Sequence, residues 1–448
     1  MPKVRGWMIA ALVYLTAVFH RSSLGVAGLE ATHRFHIGAG QLSVFVLLQV
    51  GVYAAMQVPT GVLVDRYGPR RLLTVAAALM GVAQLIFAVA PSYPMALAAR
   101  ALLGAGDALT FVSVLRFAAL HFNPRQYPMI VAVTAVLGSV GNVLATVPLS
   151  LALHSAGWTP TFGVTAMVSA GAALAVWSLV PDNAPTLTPL RLSELGPPIR
   201  RVGARVCRAW ATPGTRLGFW VHFASMSTTT VFTLLWGVPY LVAIGFSQSA
   251  ASAVLLVCVA MAVIAGPPIG MVIGRRPSLR VPIAIGVCVS TAVGWLVLLE
   301  LGGSNPPIAP VVLLVVFAAL GGPVSAIGFA LARDYNEPSM VGTATGVVNV
   351  GGFVAAIVGS AIVGATLEVR GGSSAGDYRV AFAAMLLVQV VGIAQLVRWW
   401  RRARAVAIRR QRQGLSVPVR VVARGWDLVS DAELASLGVS DPSTSPRV

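Results

Sequence analysis

Four ionisable side chains lie inside segments that are otherwise apolar, and they are the residues best able to do chemistry in this sequence. Arg21 follows His20 in the stretch FHRSSLGVAG, and Arg100 and Asp107 lie in the stretch ARALLGAGDALTF. Ionisable groups inside a membrane are costly and often mark a solute pathway or a proton relay. A guanidinium offers a planar set of donors that fits the oxygens of a carboxylate, a phosphate or a nitrate. The sequence therefore predicts that Arg21 and Arg100 bind an anion.

Asp107 is the predicted proton carrier, because a carboxyl group beside arginines changes its proton affinity when an anion enters or leaves. It shares one helical face with Arg100, seven residues earlier. His20 is the second candidate for proton coupling, since an imidazole ordinarily titrates near neutral pH. A structural ion pair between Asp107 and Arg21 or Arg100 stays open as the alternative. Two arginines and a histidine against one carboxylate nevertheless leave surplus positive charge, which is costly to bury without an anion.

The composition predicts an integral membrane protein. Of the 448 residues, 57% are hydrophobic and 10% are charged, whereas soluble domains have about 25% charged residues. The net charge of +18 would also suit a nucleic-acid-binding protein. Because the arginines are spread over short loops and one tail, we expect the lipid bilayer as a partner and no nucleic acid. The cysteines have no paired spacing, so no disulfide framework, metal site or cofactor is predicted.

Apolar runs long enough to cross a bilayer recur along most of the chain. They predict twelve membrane spans, at 7–30, 41–64, 71–91, 95–120, 127–153, 159–181, 217–243, 248–273, 280–301, 308–332, 340–367 and 378–399. Most arginines outside the spans fall on one face if the N-terminus is cytoplasmic. The positive-inside rule then places both termini of a multi-pass protein in the cytoplasm. Arg116 lies nearer the cytoplasmic end of its span and is expected to be a flanking residue.

An internal repeat divides the chain. GVLVDRYGPRR (61–71) lies 209 residues before GMVIGRRPSLR (270–280), and two further pairs of landmarks recur at nearly the same spacing. Duplicated transporters bind their solute where the repeats meet. The predicted organisation is an N-terminal six-helix bundle, a cytoplasmic linker, a C-terminal six-helix bundle and a basic, disordered cytoplasmic tail, at residues 1–181, 182–216, 217–400 and 401–448.

The stretch YAAMQVPTGVLVDRYGPRRLL (53–73) resembles the G-x-L-x-D-R-x-G-x-R-R signature between helices 2 and 3 of the major facilitator superfamily. The resemblance covers residues 5–400. It implies an all-α membrane fold of twelve transmembrane helices in two pseudo-symmetric six-helix bundles, which transports a solute by alternating access. Helices 1, 4, 7 and 10 line the central cavity in this superfamily. Ser225 and Thr229 of the seventh span are then predicted substrate ligands, although hydroxyls also bond to their own helix.

In this superfamily the signature loop is taken to hold the two halves in the outward-open state. Gly61 would permit close helix approach, Asp65 would accept hydrogen bonds at a helix end, and the arginines would pair with carboxylates or headgroups. A simple topology anchor is the alternative. The predicted conformational latch comprises Gly61, Asp65, Arg66, Gly68, Arg70 and Arg71.

Two branches of the superfamily share further features with this chain. The first helix, with the later Tyr53 and Gln57, resembles the anion:cation symporters, and GTATGVVNVGG with Asn349 resembles the nitrate and nitrite porters. The Gly-Pro motif of drug:proton antiporters is absent from LGSVGNVLATVP. Tyr53, Gln57 and Asn349 are accordingly predicted to contact substrate. The segment around Asn349 also has the spacing of a helix-packing face.

These features predict a bacterial inner-membrane transporter, acting as a monomer, that moves a small organic anion by proton-coupled symport. The alternatives are a drug/proton antiporter that acts in efflux, a nitrate- or nitrite-type porter, and a non-transporting membrane sensor or scaffold. An enzyme is not expected, because the chain has no nucleotide-binding loop, metal-ligand cluster or nucleophile elbow.

Overall fold

The computed structural model describes residues 2–37, 39–181, 199–300, 308–372, 374–422 and 427. Within these residues every regular element is a helix, as the predicted all-α membrane fold requires. The α-helices are α1 (Pro2–Phe35), α2 (Ala39–Tyr67), α3 (Pro69–Val89), α4 (Tyr93–His121), α5 (Tyr127–Leu144), α6 (Val147–Ala156), α7 (Trp158–Leu179), α8 (Ile199–Ala211), α9 (Pro213–Val231), α10 (Gly237–Ala243), α11 (Gln248–Arg275), α12 (Arg280–Glu300), α13 (Ile308–Ala319), α14 (Gly321–Tyr335), α15 (Val341–Arg370) and α16 (Ala375–Arg412).

The chain forms two compact units. The first contains Met1–Val206, Ala262–Met271 and Glu337–Val350, and the second contains Cys207–Met261, Val272–Asn336 and Gly351–Val448. The domain boundaries drawn from the sequence stay a prediction. The linker residues 182–198 and the tail residues 428–448 lie outside the described residues.

Helices α1, α2 and α4 of the first unit carry most of the predicted site residues. Helix α4 packs against α1, α2 and α3, and α3 packs in turn against α7. Near one end of these helices, an aromatic cluster forms a buried core, in which Phe87 contacts Phe45, Trp158 and Phe162. The packing buries most of α4, including three of its charged residues: Arg100, Asp107 and Arg116.

The structure contains eleven stretches among the described residues that are long and apolar enough to cross a membrane, against twelve predicted. The predicted span 217–243 is the one that differs, because it is divided into α9, a π-helical turn (Phe232–Trp236) and α10. The hydroxyls of Thr229 and Thr233 bond to carbonyl oxygens one turn earlier, which competes with regular backbone bonding. Polar side chains lower the hydropathy of α9, and α10 is only 7 residues long.

The last predicted span, 378–399, lies within a longer helix. Helix α16 continues to Arg412, so the first residues of the predicted disordered tail, 401–412, are helical. The extension is stabilised by buried alanines and by the bidentate contact of Arg404 with Asp427. The sequence did not predict this extension because residues 401–412 are rich in arginine. Hydropathy detects the apolar span and not a charged helix that continues beyond it.

Candidate functional site

Arg21 of α1 and Asp107 of α4 form a bidentate ion pair. Arg21 Nε lies 2.7 Å from Asp107 Oδ2, and Arg21 Nη2 lies 2.8 Å from Asp107 Oδ1. The Asp107 side chain is buried at 1% exposure, whereas the Arg21 side chain is 29% exposed. The ring of Tyr53 lies 4.4 Å from the Arg21 guanidinium carbon. The ion pair that the sequence left open as an alternative is therefore present, and part of the Arg21 side chain is exposed.

Arg100 lies on the same helix as Asp107 in a different environment. The residue is 1% exposed, and none of its three side-chain nitrogens has a hydrogen-bond partner among the described residues. Its guanidinium carbon lies 5.1 Å from the centre of the Phe87 ring. A cation–π contact offsets only part of the cost of burying a charge without an acceptor. Arg100 is therefore a buried cation for which the described residues supply no hydrogen-bond acceptor.

His20 is fully buried and bound at both ring nitrogens. Its Nε2 lies 2.7 Å from Ser169 Oγ, and its Nδ1 lies 2.6 Å from the side-chain nitrogen of Gln84. An amide nitrogen only donates, so in this arrangement Nδ1 accepts, Nε2 carries the hydrogen, and the ring is neutral. Protonation of His20 would have to displace the Gln84 amide. Its role in proton coupling stays a prediction.

Tyr53, Gln57 and Asn349 lie together in the first unit. The side-chain oxygen of Gln57 accepts a hydrogen bond from the Asn349 amide, and the side-chain nitrogen of Gln57 donates to the Tyr53 carbonyl at 3.1 Å. All three residues are at most 5% exposed. The structure therefore brings these predicted substrate ligands into contact with one another, and Tyr53 also joins them to Arg21.

Ser225 and Thr229 lie in α9 of the second unit, and both hydroxyls donate to backbone carbonyls. Ser225 Oγ donates to Val221 at 2.8 Å, and Thr229 Oγ1 donates to Ser225 at 3.1 Å and to Ala318 at 2.5 Å. An anion needs a donor, and these hydroxyl protons are already engaged. Their contact with substrate stays a prediction.

A second polar site surrounds Asp65 at the end of α2. Its carboxylate accepts hydrogen bonds from the Gly342 and Thr343 backbone nitrogens, at 2.8 and 2.7 Å, and from the Thr343 hydroxyl at 2.8 Å. Helix α15 begins at Val341, so these N–H groups lie in its first turn and have no partner within the helix. A carboxylate is favoured at this positive end of the helix dipole.

Gly61 lets the backbones of α2 and α15 come together beside Asp65. A Cβ atom at Gly61 would lie 2.4 Å from the Gly342 carbonyl oxygen and 3.0 Å from the Thr343 Cα. Any side chain at position 61 therefore requires the two helices to separate, which explains why a glycine precedes Asp65 by one turn.

Arg116 and Arg205 are the cations that pair with Asp65. Arg116 Nε lies 3.1 Å from Oδ1, and Arg205 Nη2 lies 3.3 Å from Oδ2. Arg116, which the sequence predicts to be a flanking residue, is buried, with its side chain only 4% exposed. The length of α4 carries Arg116 to the level at which α2 ends. No sequence pattern singled out Arg205, which lies 140 residues from Asp65.

The arginines of the signature loop have other contacts. Arg70 Nε donates to the Trp177 carbonyl in the last turn of α7 at 3.0 Å, and its guanidinium carbon lies 4.9 Å from the Trp177 ring. Arg66 lies beside the Tyr67 ring, and Arg71 is exposed. Arg70 thus satisfies a carbonyl at a helix C-terminus, where a cation is favoured.

Gly68 connects α2 with α3. Its φ of 80° lies in the left-handed region that favours glycine. The following Pro69 begins α3, at a position where its missing N–H costs nothing. Gly68 therefore allows the sharp reversal that places Arg70 against α7 and leaves Asp65 at the end of α2.

Comparison with known proteins places these features in a family. The model described as Major Facilitator Superfamily matches residues 10–359. A curated relative from Cupriavidus necator, named as a probable sulfoacetate transporter, SauU, is 25% identical over 217 residues, which are 47% of this chain and 49% of the relative. The chain therefore matches about half the length of that relative.

A solved structure has the same fold. The crystal structure of the human organic anion transporter MFSD10 (TETRAN) matches 88% of this chain and 100% of its own chain, with a TM-score of 0.63 and 16% sequence identity. At this identity the likeness shows the fold alone. With the α-helical elements and the apolar helices described above, it accounts for the architecture in which Arg21, Arg100 and Asp107 lie.

Proposed function

This chain belongs to the Major Facilitator Superfamily, and we propose that it moves a small organic anion across the bacterial inner membrane together with protons. The observation that carries this proposal is the charge balance of the first unit. One carboxylate, Asp107, is bound to Arg21, while a second guanidinium, Arg100, is buried without a hydrogen-bond acceptor among the described residues. An anion would compensate the remaining positive charge.

Arg21 is the proposed entry point for the substrate's negative group. The Arg21 side chain is partly exposed, and its guanidinium donors have the spacing that fits two oxygens of one acid group. A substrate carboxylate or sulfonate would replace the Asp107 carboxylate at Arg21. The released Asp107 would then take up a proton, so that binding of the anion is linked to protonation of the carboxyl group.

Arg100 would stabilise the same exchange. When the anion occupies Arg21, the buried positive charge of Arg100 attracts the negative group of the substrate. Electrostatic attraction of this kind is strong in a site from which water is excluded. The curated relative, a probable sulfoacetate transporter, supports an anionic cargo.

Asp65, with Gly61, would form the latch of the transport cycle. The carboxylate bonds to the first turn of α15 only while α2 and α15 are in close contact. We propose that this contact forms in the outward-open state and breaks when the carrier reorients. The proposed topology places the Asp65 site and both termini in the cytoplasm, in a carrier that acts as a monomer.

Thermal unfolding of the purified protein with a panel of anions and cations tests the proposed cargo. Small organic anions are expected to raise the unfolding temperature of the wild type and to have no effect on Arg21→Ala. Arg401→Ala is the matched control, because it removes an exposed arginine of the same chain that belongs to no predicted site. Stabilisation by cations alone, unchanged in Arg21→Ala, would refute the anion proposal and favour a drug/proton antiporter.

Reconstitution into liposomes tests transport and proton coupling. A stabilising anion is expected to accumulate in the vesicles and to acidify a lumen that contains a pH-sensitive dye. Asp107→Asn should abolish the acidification, because its side chain cannot take up and release a proton in the cycle. A wild type that binds the anion without moving it would instead indicate a sensor or scaffold.

A further inference from the structure

Arg205 of α8 connects the segment between the two halves of the sequence to the Asp65 site. We propose that Arg205 is a positioning residue of the latch, through which the position of α8 controls how firmly Asp65 binds the first turn of α15. This inference rests on the latch proposed above. It gives α8 a role in the transport cycle beyond that of a tether.

A single guanidinium nitrogen of Arg205 makes both contacts. Its Nη2 lies 3.3 Å from Asp65 Oδ2 and donates to the Ser339 carbonyl at 2.6 Å. Ser339 lies in the short 3-10 turn Pro338–Met340, which directly precedes α15. Arg205 therefore holds the end of α2 and the entry to α15 at one point.

The two arginines at Asp65 differ in burial. The Arg116 side chain is 4% exposed, whereas the Arg205 side chain is 36% exposed. One carboxylate needs only one counterion, and two guanidinium groups beside it repel each other. Arg116 is therefore the permanent counterion. Arg205 is the cation that leaves at lower cost, because water can solvate its charge when α8 moves.

The remaining partners of Asp65 explain why removal of Arg205 should leave the fold intact. Without Arg205, the carboxylate keeps the Arg116 ion pair and three hydrogen-bond donors from Gly342 and Thr343. The lost contact lies at a partly exposed position, where an ion pair contributes little to global stability. Its loss is expected to change the opening of the latch and not the folding of the unit.

Amide hydrogen exchange measures this opening directly. The Gly342 and Thr343 N–H groups exchange only when Asp65 releases them, since the helix supplies no other partner. In full-length protein, Arg205→Gln is expected to speed exchange of these two amides about fivefold. Arg208→Gln, at an exposed position of the same helix, should leave the rate unchanged. The Asp377 amide, which bonds to the Ser374 hydroxyl, serves as the internal reference.

Asp65→Asn separates failure of this inference from failure of the latch. If Asp65→Asn speeds exchange at Gly342 and Thr343 and Arg205→Gln does not, the latch stands and the role of Arg205 is refuted. If neither variant changes exchange, both proposals fail. In the Asp65→Asn background, a further Arg205→Gln change should have little effect. A full additive effect there would show that Arg205 acts elsewhere, and would overturn the inference.

Discussion

Replacing Gly61 by alanine tests the contact between α2 and α15 with the smallest possible side chain. The new Cβ would lie 2.4 Å from the Gly342 carbonyl oxygen, and both atoms belong to regular helices. An ordinary van der Waals contact begins at 3.4 Å, so the helices would have to separate by about 1 Å. Neither partner is the flexible end of a side chain, so no local rotation relieves the overlap.

The same displacement acts on Asp65, one helical turn away. Its bonds to the Gly342 and Thr343 nitrogens are 2.8 and 2.7 Å long, and an added 1 Å takes them beyond hydrogen-bond distance. Hydrogen bonds to a charged group contribute about 1.5–3 kcal/mol each. The higher helix propensity of alanine applies to α2 in the latched and in the open state alike, so it does not change the difference between them. The latched state should therefore lose roughly 3–6 kcal/mol relative to the open state.

Amide exchange and thermal unfolding together provide the assay. Gly61→Ala is expected to expose the Gly342 and Thr343 amides to exchange while the unit stays folded. Gly171→Ala is the matched control in α7, where a Cβ has no neighbour within 4 Å and only the propensity gain applies. If Gly61→Ala retains wild-type protection at both amides, the two helices are not held together by this contact and the proposed latch mechanism is wrong.

Three further outcomes follow from buried groups of the first unit. Arg21→Gln and Asp107→Asn should each destabilise the protein by roughly 3–5 kcal/mol in SDS unfolding, and the double variant by clearly less than their sum; full additivity would contradict the ion pair. Arg100→Met should raise stability without ligand by roughly 1–3 kcal/mol and remove stabilisation by anions; unchanged anion binding would exclude Arg100 from the site. Gly270→Ala would bring a Cβ to 2.8 Å from Met129 Cα, and should lower the unfolding temperature; a wild-type temperature would show that α5 and α11 adjust freely.

Much of the architecture could be predicted from the order of apolar and polar residues. Hydropathy predicts the long helices because a membrane span must form its backbone hydrogen bonds within the helix and must cross a fixed thickness of hydrocarbon. Hydropathy gave the wrong helix bounds at two places where polarity does not follow helical structure. The hydroxyls around Thr229 accompany a π-helical turn inside one predicted span, and the arginines beyond Trp400 continue a helix after the apolar residues end.

The candidate site could be predicted only as a set of residue types. The sequence by itself determined that Arg21, Arg100 and Asp107 lie in apolar helices, and that Asp65 ends one of them. Membrane helices are apolar on faces that meet lipid and on faces that meet protein, so periodicity does not show which side chains face each other.

Tertiary structure decided the pairing of these charges. It joined Asp107 to Arg21 and left Arg100 without an acceptor among the described residues. It also brought Asp65 together with Arg116, Arg205 and the first turn of α15, all of which are far from Asp65 in the sequence. The physical reason is that electrostatic energy depends on distance in space and on burial. For groups separated by a hundred residues, both are set by how the helices pack.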